Sequence, residues 1–127
     1  MMTMEVSAKK WNQFCATFQQ LRRGTMISIE HTRPDGASES IARDVALVRI
    51  SLDDQSNPCS TNLHIEAGLP GETPVCHKVI EPIHVRLKNG DGSERYHRLE
   101  ITAENGTTTI VFHPGLNPEM LKGLETS

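Results

Sequence analysis

The chain has 127 residues and a formal charge of −3, and its 13 basic and 16 acidic side chains are intermixed, which argues against nucleic acid as a partner. No apolar run approaches the roughly 20 residues of a membrane span, and none has the pattern of a signal peptide, so we expect no membrane association. Its three cysteines (Cys15, Cys59 and Cys76) cannot all pair within one chain and match no zinc or redox motif, which favours a reducing, cytoplasmic setting.

The first predicted element is an amphipathic helix from about Ser7 to Arg23. Ser7 is suited to the N-cap, and Gly24 is suited to the left-handed position after the last turn. The apolar residues recur at helical spacing, at Trp11, Phe14, Cys15, Phe18 and Leu21. Because this stripe holds three of the five aromatic residues of the chain, we expect it to lie across the apolar face of a sheet.

A β-rich body follows, over about residues 25–113. Alternating apolar and polar residues predict strands over Met26–His31, Ala46–Leu52 and Leu63–Ala67. The stretch 37–44 fits either a bulged strand or a loop. The polar stretch 53–61 and the stretch 68–74, which is rich in glycine and proline, are predicted to be loops.

A first hairpin is predicted around the glycines at 90 and 92. Pro82 interrupts the long extended segment 75–88, because proline cannot donate to a ladder, and marks an edge, a bulge or a break between two short strands. A three-residue turn over 90–92 would pair Ile83 with Leu99 on the apolar face.

A second hairpin is predicted around Asn105-Gly106, the residue pair that best tolerates the positive φ angles of a type I′ turn. Folding about that turn places the large apolar side chains on one face. The predicted pairs are Leu99 with Phe112, Ile101 with Ile110, and Ala103 with Thr108. Leu99 then belongs to both hairpins, so the segment from Ile83 to Phe112 is a three-stranded meander.

Together these elements predict one α+β domain over residues 1–127. The N-terminal amphipathic helix packs on a mainly antiparallel sheet of five to seven strands, which is strongly twisted or curled toward a small barrel. Asn117 followed by Pro118 is a typical helix start, so a short C-terminal helix is predicted over about residues 118–124.

The densest run of potentially reactive side chains surrounds Pro82. The candidate ligand-binding residues are His77, Glu81, His84, Arg86 and Arg98. Cys76 and His77 are neighbours in a strand and therefore point to opposite faces, so they cannot form a nucleophile and base pair. We predict no catalytic residue, no metal site and no cofactor, because no acid, base and nucleophile converge and the histidine and cysteine spacings lack the tight pairs of zinc sites.

Several short motifs resemble those of uncharacterised bacterial proteins that are grouped as a domain of unknown function. The motifs are Trp11-Asn-Gln-Phe14, His77-Lys-Val-Ile-Glu-Pro82, Leu99-Glu-Ile-Thr102 followed by Gly106, and Ile110-Val-Phe112. The resemblance spans about Trp11 to Phe112. It implies a small α+β domain of bacterial origin and supplies no activity and no catalytic residue.

Two functions are compatible with these observations. The first is a non-enzymatic cytoplasmic binding or protein-interaction module, with a protein partner or self-association through the edge strand near Pro82 or a polar sheet face. The alternative is a small enzyme or ligand-binding protein with a pocket near His77, Glu81 and His84.

Overall fold

The computed structural model describes residues 3–53, 62–89 and 95–116. A short 3-10 turn, Ala8–Lys10, leads into the helix α1, Trp11–Arg22. The strands are β1 (Thr3–Glu5), β2 (Met26–Thr32), β3 (Ser38–Asp53), β4 (Asn62–Gly68), β5 (Val75–Ile80), β6 (His84–Asn89), β7 (Tyr96–Ala103) and β8 (Gly106–Leu116). The predicted C-terminal helix and the turn over 90–92 lie outside the described residues, as does nearly all of the predicted loop 53–61.

The helix α1 contains the predicted apolar stripe, but it begins at Trp11 and not near Ser7, because residues 8–10 form the 3-10 turn. The side chains of the stripe are buried except Leu21, which is half-buried and packs on the core. Gly24 has a φ of +86°, as expected for a glycine that ends a helix. Ser7 precedes the 3-10 turn, but its side chain makes no capping hydrogen bond. The ring of Phe18 meets Phe112 edge to face at 5.0 Å, so the helix covers the apolar face of the sheet.

The strands form one antiparallel sheet in the order β1-β6-β7-β8-β2-β3-β4-β5, with β1 and β5 at its edges. The predicted α+β class and antiparallel pairing are therefore confirmed. The predicted count of five to seven strands is wrong, because the described residues form eight. One strand that sequence patterning missed is β1, whose three residues are too few to show an alternation and which pairs with β6.

The sheet is curled but not closed, so the expected barrel is wrong. Only residues 81–83 join β5 to β6, although these strands lie near opposite ends of the sheet. The curl therefore brings the two ends together at one corner. Pro82 has no N–H to donate there, and the N–H of Ile83 donates to the carbonyl oxygen of Thr102 in β7 at 2.6 Å. The strand β6 is therefore hydrogen-bonded to β7 and not to β5, and β5 is an edge strand of the sheet.

The β7–β8 hairpin has the predicted faces but not the predicted register. Ile101 pairs with Thr108, and Leu99 pairs with Ile110, so the pairing is displaced by two residues and each side chain keeps its face. The turn is formed by Glu104 and Asn105. Neither residue has a positive φ, whereas Gly106 has a φ of +130°, so the expected type I′ turn does not form.

The β6–β7 register also differs from the prediction. Leu87 pairs with Leu99, and Asn89 pairs with Tyr96, which leaves six residues (90–95) between the two strands instead of a three-residue turn. The predicted pairing of Ile83 with Leu99 is wrong for this reason. Ile83 is 55% exposed instead of buried.

The ambiguous stretch 37–44 is a bulged strand and forms the first part of β3. The pairing of β2 with β3 shifts register on both sides of Ile29. Asp44 has a φ of +50°, and its backbone N–H donates to the hydroxyl oxygen of Ser28 at 3.3 Å. The bulge bends this long strand and contributes to the curl of the sheet.

Candidate functional site

The five predicted ligand-binding residues occupy three separate places. Two of them, His84 and Arg86, lie on β6 and contact Glu5 of β1. Glu5 Oε2 is 3.2 Å from His84 Nδ1, and Glu5 Oε1 accepts a hydrogen bond from Arg86 Nε at 3.0 Å. These bonds, from His84 first and Arg86 second, lower the pKa of Glu5. All three side chains are more than one-third exposed, so this cluster lies open on the outer face of the sheet.

A third predicted residue, Arg98 of β7, lies on the same outer face. Its side chain is exposed, and it pairs with Lys88 of β6. Lys88 forms its ion pair with Glu100, at 3.2 Å between Nζ and Oε1. Three basic side chains, His84, Arg86 and Lys88, therefore lie along β6, and the carboxylates of Glu5 and Glu100 on the neighbouring strands pair with them. Paired charges on a partly exposed strand surface are typical of a solvated sheet face.

His77 lies on the opposite, concave face of the sheet. Its Nε2 is 3.0 Å from the hydroxyl oxygen of Thr108 on β8, which is also 3.3 Å from Nδ1 of His31 on β2. The Nε2 atom of His31 is 3.2 Å from the carbonyl oxygen of Asn105. These contacts join the edge strand β5 to β2 and to the tip of the β7–β8 hairpin, across the curl of the sheet.

The carbonyl of Asn105 determines the direction of this hydrogen-bonded chain. A carbonyl only accepts, so Nε2 of His31 carries its proton and Nδ1 of the neutral ring is an acceptor. The hydroxyl of Thr108 then donates to His31 and accepts from Nε2–H of His77. Burial, followed by the neighbouring His31, lowers the pKa of His77 against the opposing effect of Glu39.

A hydroxyl between two imidazoles has the elements of a nucleophile with a base, but its position is against that chemistry. Thr108 is 1% exposed, so a substrate cannot approach its oxygen. The two cysteines that the structure describes, Cys15 and Cys76, form no pair of nucleophile and base either. Burial raises the pKa of the Cys15 thiol to about 12, which leaves it protonated at neutral pH. The thiol of Cys76 is exposed, and its sulfur is 3.9 Å from Glu66 Oε1.

Glu81 lies at a groove on the corner where the β5–β6 connection, the start of α1 and the tip of the β7–β8 hairpin meet. This corner groove has a volume of about 700 Å³ and is lined by Trp11, Ile80, Glu81, Pro82, Ile83, Glu104 and Asn105. Glu81 has a φ of +49°, and its backbone N–H donates to the side-chain oxygen of Asn62 at 3.2 Å. Of the predicted site residues, Glu81 is the one that belongs to this groove.

The most exposed large apolar side chains of the described residues lie in the corner groove. Ile80 is 56% exposed and Ile83 is 55% exposed. Pro82, between them, is buried, and Trp11 closes the groove as a wall that is only 7% exposed. The indole Nε1–H of Trp11 donates to the carbonyl oxygen of Val6 at 3.1 Å, which holds the ring in place.

Sequence reasoning assigned two of these groove residues to the core. Trp11 was correctly expected to be buried, and Ile83 was not. The alternation of Ile83, Val85 and Leu87 gives no sign that the sheet ends at the first of them. Pro82 is the one local signal, since a residue that cannot donate to a ladder commonly marks the end of a strand.

Comparison with known proteins finds no match to this chain among protein-family models, curated proteins or solved structures. The described residues contain no group of three or more histidine, cysteine, aspartate or glutamate side chains placed to hold a metal ion. Within the same part of the chain, no helix is long and apolar enough to cross a membrane.

Proposed function

We propose that the protein is a non-enzymatic protein-interaction module and that the corner groove is its recognition surface. The exposure of Ile80 and Ile83 in one concave site carries this proposal. Aliphatic side chains in water are stabilised when a partner covers them, and exposed apolar groups gathered at one site commonly mark such contacts. The proposal retains the cytoplasmic setting and bacterial origin expected from the sequence.

The rigidity of the groove supports the same function. Pro82 has a fixed φ angle and is buried, and Trp11 is held by its hydrogen bond to Val6. Side chains that are already ordered lose little conformational entropy when a partner binds. The groove volume of about 700 Å³ is large enough for one or two side chains of a protein segment.

The enzymatic or ligand-binding alternative has less support. The polar contacts of its three residues lead to different places: His77 contacts Thr108, Glu81 contacts Asn62, and His84 contacts Glu5. Only Glu81 belongs to the groove. The other acidic residue of the lining is Glu104, and none of the described lining residues is a histidine, cysteine, serine, threonine or lysine that could complete such chemistry.

Peptide selection with variants of the groove tests the proposed function. A random-peptide display library is selected on the immobilised protein, and the affinities of the recovered peptides are measured against Ile80→Ser and Ile83→Ser. We expect at least a tenfold loss for each variant, because burying an isoleucine side chain contributes about 1.5 to 3 kcal/mol. Both residues are more than half exposed, so unfolding free energies should change by no more than about 0.5 kcal/mol.

Met26→Ser is the matched control, because Met26 is 48% exposed and does not line the corner groove. This variant should bind the peptides as the unchanged protein does. The proposal is wrong if no peptide is recovered, or if the two isoleucine variants bind as tightly as the Met26→Ser control.

A further inference from the structure

We propose that the corner groove binds a partner segment that places a large aliphatic side chain between Ile80 and Ile83 and a lysine or arginine beside Glu81 and Glu104. This inference rests on the proposed function, which supplies the groove but not the chemistry of its partner. The aliphatic part follows from the lining, in which four of the seven residues are apolar: two isoleucines, a proline and a tryptophan.

The basic part of the proposal follows from charge. Two carboxylates, those of Glu81 and Glu104, line the groove, and none of the described residues that line it is basic. Two lysines, Lys9 and Lys10, precede Trp11 in the chain but do not belong to the lining. A lysine or arginine of a partner would therefore meet two acidic groups and no repelling cation in the groove.

The hairpin tip that carries Glu104 has a defined position. The ring of His31 contacts the carbonyl oxygen of the next residue, Asn105, at 3.2 Å. Glu81 is fixed from the other side, through its backbone N–H and Asn62. The two acidic residues are thus carried by anchored segments of the lining. An aliphatic side chain that displaces water from the groove also strengthens a charge pairing within it.

A second copy of the chain fits the groove less well than a basic segment does. A symmetric contact through this site would set the Glu81 and Glu104 carboxylates of one protomer against those of its partner. The chain also carries a formal charge of −3, so two copies repel each other at low salt. The charge of the groove therefore favours a different, basic protein segment.

Trp11 gives a direct readout of groove occupancy, because it is the only tryptophan of the chain and lines the groove. We would titrate the protein with three blocked peptides, Gly-Ser-Leu-X-Ile-Ser-Gly, in which X is lysine, glutamine or glutamate, and follow the fluorescence of Trp11. At low salt we expect the lysine peptide to bind about tenfold more tightly than the glutamate peptide, with glutamine between them. High salt should reduce this preference.

Two sets of variants separate the charge assignment from the groove itself. The double variant Glu81→Gln, Glu104→Gln should bind the three peptides equally, and the control Glu72→Gln, which alters an exposed carboxylate outside the groove, should retain the preference. Equal binding by the unchanged protein, with loss in Ile83→Ser, would overturn the basic partner and leave the interaction surface intact. A lack of any Trp11 response, together with an empty peptide selection, would overturn both proposals.

Sedimentation of the unchanged protein and of Ile83→Ser tests whether a second copy of the chain occupies the groove. We expect both to sediment as the same species over the concentration range used for the titrations. Self-association that Ile83→Ser abolishes would identify a second copy of the chain as the occupant and would overturn the assignment to a basic segment.

Discussion

Replacing Phe112 with alanine should lower the free energy of unfolding by about 3 to 5 kcal/mol. The Phe112 ring is fully buried, lies opposite Ile27 in the neighbouring strand and meets Phe18 of the helix edge to face at 5.0 Å. Alanine would remove this contact between helix and sheet and leave a cavity that rigid neighbours on both sides cannot fill. Urea unfolding followed by circular dichroism measures the change.

Phe112→Leu provides the matched control, since it keeps an apolar side chain of intermediate size at the same position. It should cost clearly less than Phe112→Ala. A nearly unchanged unfolding free energy for the alanine variant would mean that this face of β8 points away from the helix.

Gly106→Ala should be almost as damaging, with an expected cost of about 3 kcal/mol or more, because two separate penalties combine. Gly106 has a φ of +130°, which alanine adopts only with strain. Its added Cβ would also overlap the backbone carbonyl oxygen of Thr32 on β2. Backbone cannot rotate away as a flexible side chain can, so the hairpin or the strand beside it must move. Thermal and urea unfolding of the variant test this prediction.

Gly36→Ala separates the two penalties. Gly36 has a φ of +93° but no heavy atom within 4 Å of the position where a Cβ would lie. It should therefore show the strain alone, about 1 to 2 kcal/mol. Equal costs at the two glycines would show that the hairpin does not approach Thr32 as closely as described.

The helix and the faces of the strands could be predicted because each depends on the spacing of neighbouring residues. Trp11, Phe14 and Phe18 fall on one side of any α-helix, and Leu99, Ile101 and Phe112 fall on one side of a hairpin whichever even register it adopts. A displacement of two residues changes the partners and leaves the faces intact. For this reason the predicted buried faces of β7 and β8 were correct, whereas the predicted residue pairs between the two strands were wrong.

The registers depended on turn geometry, which the sequence indicated incorrectly. Asn105-Gly106 is the strongest local turn signal, yet the turn is made by Glu104 and Asn105, because Gly106 is needed where the chain passes close to Thr32. That requirement comes from a strand more than 70 residues away in the chain and from no residue next to the turn. Similarly, no local pattern indicated that six residues would separate β6 from β7.

The corner groove could not be predicted because it is a product of the curl. Its lining comes from the start of α1, the β5–β6 connection and a hairpin tip, which meet only when the ends of the sheet approach each other. Glu81 was included among the candidate residues for its charge and its proximity to Pro82. Of the two residues that carry the proposed function, Ile83 was expected in the core and Ile80 in a strand, and neither was a candidate binding residue.

The curl of the sheet is the feature on which the corner groove depends, and the contact between His77 and Thr108 is its most direct signature. Nuclear Overhauser spectroscopy of the folded protein should show cross-peaks between the His77 ring protons and the methyl group of Thr108. The His77 Nε2 atom is 3.0 Å from the Thr108 hydroxyl oxygen. Titration in the same samples should give His77 a pKa below 6.5, since burial and His31 disfavour the charged ring.

The lowered pKa of His77 also determines in which direction the stability of the folded protein changes with pH. The unfolded chain takes up a proton at His77 more readily than the folded protein does, so stability should fall as the pH drops through 6.5 and stop falling below the folded-state pKa. His77→Gln, which keeps an N–H donor for Thr108 and does not titrate, should lack this contribution. Cross-peaks to Thr108 and a lowered pKa are the predicted result. An ordinary titration of His77 without those cross-peaks would contradict the curl and, with it, the groove.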